Sequence, residues 1–132
     1  MYFAYSFPYT YSEVLRYLDR ITNYSNREIL RRAPLCQSLA GNDIDMLIVT
    51  NFTSRPEAIA DRPAVILTGR VHPGESNSSF IMEGVIDYLL SGEEGAKLLR
   101  NRYVFKIVPM LNPDGVVIGN YRCSLSGGDL NR

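Results

Sequence analysis

The segment from Ala64 to Glu75 constrains the fold of this chain more than any other stretch. It reads AVILTGRVHPGE, in which an unbroken apolar run leads into a proline and a glycine. The apolar run predicts a strand buried on both faces of a sheet, and the proline and glycine predict that the strand ends in a turn. Because open α/β sheets bind ligands beyond the carboxyl ends of their strands, we expect His72 to lie at a functional edge.

A second apolar strand is predicted from Tyr103 to Met110. Between the two strands, apolar residues recur with helical spacing from Ile81 to Leu90 and predict a helix with a broad buried face. A strand, a helix and a strand in this order predict a βαβ unit with parallel strands. The turn at 111–115, LNPDG, should then lie on the same edge as His72.

The first third of the chain combines one clear helix start with weaker patterns. Thr10 and Glu13 have the spacing of a capping box, and the apolar spacing after them predicts a helix from Tyr11 to Asn23. Alternating aromatic residues over 3–9 predict an edge strand, and Asn26 to Arg32 could form two short helical turns before Pro34.

Two further strand candidates precede the Ala64 strand. They run from Leu35 to Leu39 and from Asp45 to Phe52, and the turn-forming residues between them predict a hairpin. The polar stretch from Thr53 to Pro63 predicts a surface loop.

Composition excludes several classes of function. The 132 residues predict about one domain, and 14 basic residues balance 14 acidic ones, so we expect neither nucleic acid nor a membrane surface as a partner. No segment approaches the length of a membrane span. Cys36 and Cys123 are too few for a disulfide framework and predict reduced thiols in a cytoplasmic protein.

His72 and Glu75 are the candidate metal ligands. An imidazole nitrogen and a carboxylate oxygen are both ordinary zinc ligands, and catalytic zinc sites commonly use three protein ligands and one water. A single His-x-x-Glu motif is a weak indication, and taken alone it describes a turn histidine beside a helix-capping glutamate more often than a metal site.

Arg122, Asn131 and Arg132 are the candidate substrate contacts if the tail returns to the His72 edge. An arginine beside a metal could polarise a carbonyl and stabilise an oxyanion. A second arginine could bind a carboxylate through two parallel hydrogen bonds. Each arginine, taken alone, is better explained as a solvated loop residue.

Four segments in a fixed order carry a resemblance to a known family. HPGESNSSF, FKIVPMLNPDG, RCSL and DLNR together closely resemble the M14 metallocarboxypeptidases. The nearest branch is that of the cytosolic carboxypeptidases, which trim glutamates from tubulin and other proteins. The resemblance implies an α/β fold, namely the N-terminal half of a three-layer α/β/α domain with a mixed sheet. Residues 1–9 would then end a preceding β-sandwich domain or linker, and residues 10–132 would begin the catalytic domain.

The same resemblance implies roles for individual residues. His72 and Glu75 are similar to the first two ligands of the catalytic Zn²⁺, and Arg122 looks like the arginine that polarises the scissile carbonyl. Asn131 and Arg132 resemble the pair that binds the terminal carboxylate of the substrate. The implied reaction is hydrolysis of C-terminal residues, glutamates above all, from acidic protein tails such as those of tubulin.

One departure from the family pattern limits this expectation. The third zinc ligand of the family is a second histidine and its general base is a glutamate, both downstream of the Asn–Arg pair, whereas this sequence has one histidine and ends at Arg132. We therefore expect part of a longer domain that is inactive by itself. The alternatives are a non-catalytic fragment or pseudoenzyme that binds carboxylate tails and, less in keeping with the NPDG and DLNR segments, a zinc-dependent deacylase of N-acyl amino acids.

Overall fold

The computed structural model describes residues 1, 3, 5–22 and 26–132. This part of the chain contains five helices and four strands. In chain order they are α1 (Tyr11–Ile21), β1 (Leu30–Gln37), β2 (Asp43–Val49), α2 (Pro56–Ala60), β3 (Ala64–Thr68), α3 (Asn77–Leu90), α4 (Glu94–Arg102), β4 (Val104–Val108) and α5 (Pro113–Ile118). None of the helices within these ranges is long and apolar enough to cross a membrane.

The four strands form one mixed sheet in the order β1, β2, β4, β3. β1 pairs antiparallel with β2, β2 pairs antiparallel with β4, and β4 pairs parallel with β3. The hairpin and the parallel pair predicted from the sequence are both present. The parallel pair is not interior, however, because β3 lies at the edge of the sheet in the described part of the chain.

The expectation that β3 is buried on both faces was wrong. Val65 and Leu67 pack against the hydrophobic core, whereas Ile66 between them is 70% exposed. Alternate residues of a strand point to opposite faces, and α1 and α3 contribute to the core on one face of the sheet only. An apolar run shows that a strand can be buried, but it does not show which faces are covered.

Helix α1 begins and packs as its sequence predicts. The Thr10 hydroxyl accepts a hydrogen bond from the Glu13 amide at 3.2 Å, and the Glu13 carboxylate accepts one from the Thr10 amide, which completes a capping box. The helix ends at Ile21; the predicted end at Asn23 lies outside the described residues. Its buried side chains are those of Val14, Tyr17, Leu18 and Ile21.

Two predictions for the first third of the chain were wrong. Leu30–Arg32 belong to strand β1, where Arg31 pairs with Ile48, and do not form helical turns. Pro34 is accommodated in this edge strand by an irregularity between Pro34 and Cys36. Residues 5–9 of the predicted aromatic strand form no strand, and Ala4 lies outside the described residues. Only Tyr9 of these residues is buried, with its hydroxyl donating to Glu83 of α3.

The helices after β2 refine the sequence-based boundaries. The predicted loop from Thr53 to Pro63 contains the short helix α2, whose first residue is Pro56. Helix α3 buries Met82, Ile86 and Leu89, but Ile81, predicted to be buried, is 62% exposed. The buried face of α3 is therefore narrower than its apolar pattern suggests.

Candidate active site

The turn that carries His72 begins where β3 ends and lies against the turn that follows β4. The Gly69 amide donates to the Val108 carbonyl at 2.9 Å, and the Leu111 amide donates to the Gly69 carbonyl at 3.0 Å. The Asn112 side chain donates to the Val71 carbonyl at 3.2 Å. The LNPDG segment and His72 therefore share one edge of the sheet, as their positions after parallel strands predict.

His72 and Glu75 face each other across this turn. His72 Nδ1 lies 3.0 Å from Glu75 Oε1, and the Glu75 amide donates to the His72 carbonyl at 3.2 Å. The His72 side chain is only 8% exposed, whereas that of Glu75 is 46% exposed. The turn therefore aims one imidazole nitrogen and one carboxylate oxygen at the same place, with the histidine fixed by burial and the glutamate open to solvent.

Asp129 holds the other ring nitrogen of His72. Its Oδ1 lies 3.1 Å from His72 Nε2 and accepts from the Asn131 amide at 2.9 Å, while its Oδ2 accepts from Arg122 Nε at 2.7 Å. The Asn131 amide, followed by the Arg122 and His72 side chains, lowers the pKa of the Asp129 carboxyl from 3.8 to about 2, although desolvation opposes the shift. Asp129 is therefore a carboxylate at neutral pH.

The contacts of His72 indicate which of its nitrogens a metal could reach. A carboxylate can only accept a hydrogen bond, and each ring nitrogen of His72 faces one, Nδ1 toward Glu75 Oε1 and Nε2 toward Asp129 Oδ1. With a metal at Nδ1 beside Glu75, Nε2 would be the nitrogen that donates to Asp129. Metal-binding histidines commonly donate their other N–H to a carboxylate in this way. Sequence reasoning assigned no role to Asp129, although it is the first residue of the DLNR segment that carried part of the resemblance.

The segment from Asn120 to Cys123 is anchored to the His72 turn at two points. The Gly74 amide donates to the Tyr121 carbonyl at 2.7 Å. A Cβ atom on Gly74 would lie 2.3 Å from the Tyr121 ring, so this contact requires a glycine. Asn112, which is buried, donates to the carbonyl of Cys123 at 3.4 Å as well as to the turn. Gly74 and Asn112 thus fix the position of the backbone from which the Arg122 side chain extends.

Arg122 reaches the site through its ion pair with Asp129. The contact uses Nε, and the Arg122 side chain remains 43% exposed. Among the residues that the structure describes, none accepts a hydrogen bond from the two terminal nitrogens of Arg122. These nitrogens are the donors that a substrate carbonyl could use.

Asn131 and Arg132 lie next to Asp129, but their side chains are exposed. Asn131 contacts Asp129 through its backbone amide, and Arg132 Nη1 donates to the Asn131 carbonyl at 3.0 Å. The structure therefore brings all five predicted site residues to one edge through Asp129. It shows no side-chain arrangement that would define how Asn131 and Arg132 act.

The residue types at the turn fit a zinc ion, but only in part. Neutral imidazole and carboxylate are both zinc ligands, and His72 Nδ1 and Glu75 Oε1 converge. Within the described ranges, no group of three or more His, Cys, Asp or Glu side chains could hold a metal ion. Catalytic zinc sites commonly use three protein ligands. The described residues supply two of them at this turn.

The fold and the site together define a class. The sheet is mixed, a histidine–glutamate pair follows one of its parallel strands, and arginines lie on the same edge. This is the arrangement of an α/β metallopeptidase domain. The chain belongs to the peptidase M14 family of zinc carboxypeptidases, whose sequence profile matches residues 14–132.

Individual relatives agree with this assignment. Cytosolic carboxypeptidase 2 of Mus musculus is 51% identical over 132 residues, and cytosolic carboxypeptidase 3 of Bos taurus is 52% identical over 132 residues. Each comparison covers 99% of this chain. The solved structure of a metallo-carboxypeptidase from Burkholderia cenocepacia is similar with a TM-score of 0.80 and 29% identity over 94% of this chain.

The chain spans only part of these relatives. It covers 15% of the mouse protein, 13% of the bovine protein and 32% of the Burkholderia chain. The fold described above is therefore a part of the carboxypeptidase domain.

Proposed function

We propose that this chain supplies the first part of the active site of a zinc carboxypeptidase that removes C-terminal glutamates from acidic protein tails. The observation that carries the proposal is the doubly held His72, with Nδ1 toward Glu75 and Nε2 on Asp129. The names of the relatives support a carboxypeptidase that acts in the cytosol. The family match supports this reaction over deacylation of N-acyl amino acids.

His72 Nδ1 and Glu75 Oε1 would hold the zinc ion. The chemistry that a zinc ion would supply there is activation of a water molecule and polarisation of the carbonyl of the scissile peptide bond. With the metal on Nδ1, Nε2 would donate to Asp129, and this contact would fix the ring plane of His72 so that the ring does not rotate away from the metal. Because only two ligands are present, the 132-residue chain should bind zinc weakly.

Arg122 and the Asn131–Arg132 pair would bind the substrate. The ion pair with Asp129 holds the Arg122 guanidinium at one end and leaves Nη1 and Nη2 for the scissile carbonyl. Asn131 and Arg132, both exposed, would bind the terminal carboxylate, for which the planar guanidinium offers two parallel donors. The acidic, tubulin-like character of the tail is part of the proposal. So is the division of the chain at residue 10 into a preceding unit and the catalytic domain.

Activity is best tested in a chimera. Residues 1–132 replace the aligned segment of mouse cytosolic carboxypeptidase 2, and the release of glutamate from a peptide ending in three glutamates is measured. We expect release that is lost with a chelator and in Glu75→Gln. Glu94→Gln is the matched control, because Glu94 is exposed and pairs only with Lys97 on the same helix.

Two other outcomes would contradict the proposal in different ways. If the chimera binds the peptide through Arg122 and Arg132 but releases no glutamate, the non-catalytic alternative is correct. If Glu75→Gln retains the activity of the unsubstituted chimera, Glu75 is not a ligand and the His-x-x-Glu turn is structural.

A further inference from the structure

A cavity of about 320 Å³ lies beside the His72 turn and is not used by the proposed reaction. Its walls come from side chains within residues 5–10, from Pro73, Gly74 and Ser76 of the turn, and from side chains within residues 116–121. The N-terminal wall is tied to the turn, because the Ser76 hydroxyl donates to the Phe7 carbonyl at 2.7 Å. Among the described residues that line it, Arg70 has the only charged side chain.

Arg70 is a buried cation without a carboxylate partner. It is 5% exposed, its Nε donates to the Pro73 carbonyl at 2.9 Å, and its Nη1 donates to the Ser79 hydroxyl at 2.8 Å. No carboxylate among the described residues lies within ion-pair distance of it. Buried charges in proteins are normally paired, so an unpaired arginine requires an explanation.

The remaining nitrogen of Arg70 faces the cavity. Nη2 has no hydrogen-bond acceptor in the described part of the chain. Every side-chain nitrogen or oxygen there that is shielded from solvent does have a hydrogen-bond partner. Nη2 must therefore reach solvent, and the opening that Arg70 lines is this cavity. Glu13, a carboxylate whose charge acts on Arg70, is already used by the Thr10 cap.

The backbone at Arg70 indicates that its side chain is needed. Arg70 has a φ of 56°, and it is the only residue other than glycine with a positive φ in the described ranges. Glycine would adopt this left-handed conformation without strain, whereas a residue with a Cβ atom does so at a cost. The strained backbone directs a guanidinium between the turn and the cavity.

We propose that this cavity binds a carboxylate side chain of an acidic peptide through Nη2 of Arg70. The arginine supplies the charge and a directed donor. The Tyr5 and Tyr121 rings, which pack edge to face, and the apolar surfaces of Pro8 and Val116 would contact the methylene groups of the peptide. A free phosphate ion would use the charge but leave the aromatic and apolar walls without a contact. The lining therefore favours a peptide carboxylate.

The site does not depend on peptide hydrolysis or on a free peptide terminus. We therefore test it on the 132-residue chain with N-acetyl-triglutamate amide, which has no C-terminal carboxylate for Arg122 or Arg132 to bind. The side-chain Nε–H resonance of Arg70 is followed by ¹⁵N NMR and assigned by its loss in Arg70→Gln. We expect a saturable shift that weakens with salt and is absent with the triglutamine peptide.

A matched pair of variants separates binding from folding. Pro8 is an exposed residue that lines the cavity, so Pro8→Glu places a carboxylate in the wall. Pro8→Gln introduces a side chain of almost the same shape as glutamate but without the charge. We expect Pro8→Glu to weaken binding of the triglutamate amide at least tenfold and Pro8→Gln to leave it within about twofold.

Three results would overturn the proposal. The first is the absence of a saturable shift at Arg70 in the unsubstituted chain. The second is equal weakening by Pro8→Glu and Pro8→Gln, which would mean that the shape of the wall matters and the charge does not. The third is binding of inorganic phosphate at Arg70 as tight as that of the peptide, which would assign the cavity to a small anion. Failure of glutamate release in the chimera would affect none of these outcomes.

Discussion

At the scale of single residues, Asp129 connects the candidate metal ligand to the candidate substrate arginine. One carboxylate bonds His72 through Oδ1 and Arg122 through Oδ2. A change at Asp129 should therefore affect both the ring orientation of His72 and the position of the guanidinium. This coupling makes Asp129 a positioning residue, since it contacts neither the metal nor the substrate in the proposed reaction.

Asp129→Asn should weaken zinc binding by the 132-residue chain. The amide lacks the negative charge that would favour an N–H at Nε2 of a metal-bound His72. Loss of such an outer partner commonly costs 10–100-fold in metal affinity, which sets our expected range at about 10–100-fold. The measurement is a competition titration with a chromophoric chelator. Asp61→Asn is the control, because Asp61 is an exposed residue at the end of α2. Equal affinity in Asp129→Asn and the control would contradict the assigned role.

A buried carboxylate, Asp114, should stabilise the fold rather than the site. It accepts hydrogen bonds from Ser38 Oγ at 2.5 Å, from the Ala40 amide at 3.1 Å and from Asn42 Nδ2 at 2.7 Å, and it thereby ties α5 to the β1–β2 turn. Desolvation raises its pKa, but these hydrogen bonds outweigh it and leave the pKa below the usual 3.8. We expect Asp114→Asn to lower the free energy of unfolding by roughly 1–3 kcal/mol at pH 7.

The pH dependence of that loss follows from the direction of the shift. Because the folded pKa of Asp114 lies below 3.8, the ionised carboxylate stabilises the fold above pH 3.8, and this contribution disappears as the pH falls below that value. Urea unfolding should therefore show a smaller difference in the free energy of unfolding between the unsubstituted chain and Asp114→Asn near pH 3 than at pH 7. A difference that grows toward pH 3 would contradict the assignment.

At the scale of elements, the site depends on how closely the His72 turn and the Asn120–Cys123 segment approach each other. Gly74→Ala would place a methyl group 2.3 Å from the Tyr121 ring and force the segment that carries Arg122 away. Overpacked sites of this kind typically lose 1–3 kcal/mol, and we expect a loss of about that size. The measurement is urea unfolding of the 132-residue chain.

Gly84 provides the matched control for that substitution. It lies within α3, and a Cβ atom there would meet no atom within 4 Å. Gly84→Ala should therefore stabilise the chain by about 0.5–1 kcal/mol, since alanine favours a helix interior over glycine. If Gly74→Ala stabilises the chain as well, the contact with Tyr121 does not constrain the turn.

Sequence reasoning succeeded where a local pattern determines the structure. The Thr10–Glu13 cap, the β1–β2 hairpin and the turn after β3 all follow from side chains that act within a few residues. It failed where a distant partner decides. Leu30–Arg32 form a strand because β2 lies beside them, and Ile66 is exposed because helices pack on one face of the sheet.

The candidate site shows the same division. His72 and Glu75 are three residues apart, so their convergence could be predicted from the turn. Asp129 lies 57 residues from His72, and its contact with Nε2 depends on how the tail folds back. The cavity around Arg70 could not be predicted either, because a single arginine between a glycine and a valine forms no local sequence pattern.

At the scale of the whole molecule, the sheet has one covered face and an edge strand with an exposed apolar residue. Ile66 lies on the face of β3 away from the core, and β3 has no second neighbour in the described part of the chain. Unpaired strand edges promote association between chains. We therefore expect the isolated 132-residue chain to self-associate at micromolar concentration.

Ile66→Lys should reduce that association. A lysine on the exposed face of an edge strand is one of the usual ways in which proteins prevent edge pairing. Leu98→Lys is the control, because Leu98 is also exposed, at 59%, but lies on α4. Sedimentation velocity should show a shift toward monomer for the first variant only. A clean monomer for the unsubstituted chain at about 100 μM would contradict the expectation.

The central claim is that His72 binds zinc through Nδ1 while Asp129 holds Nε2. The chain has a single histidine, so ¹⁵N NMR of the imidazole nitrogens reports on this residue alone. On addition of zinc to the 132-residue chain, we expect the Nδ1 resonance to move to the position of a metal-bound nitrogen and Nε2 to show the resonance of a protonated nitrogen. Glu75→Gln should weaken this change. Binding through Nε2, or no change at either nitrogen at millimolar zinc, would contradict the account.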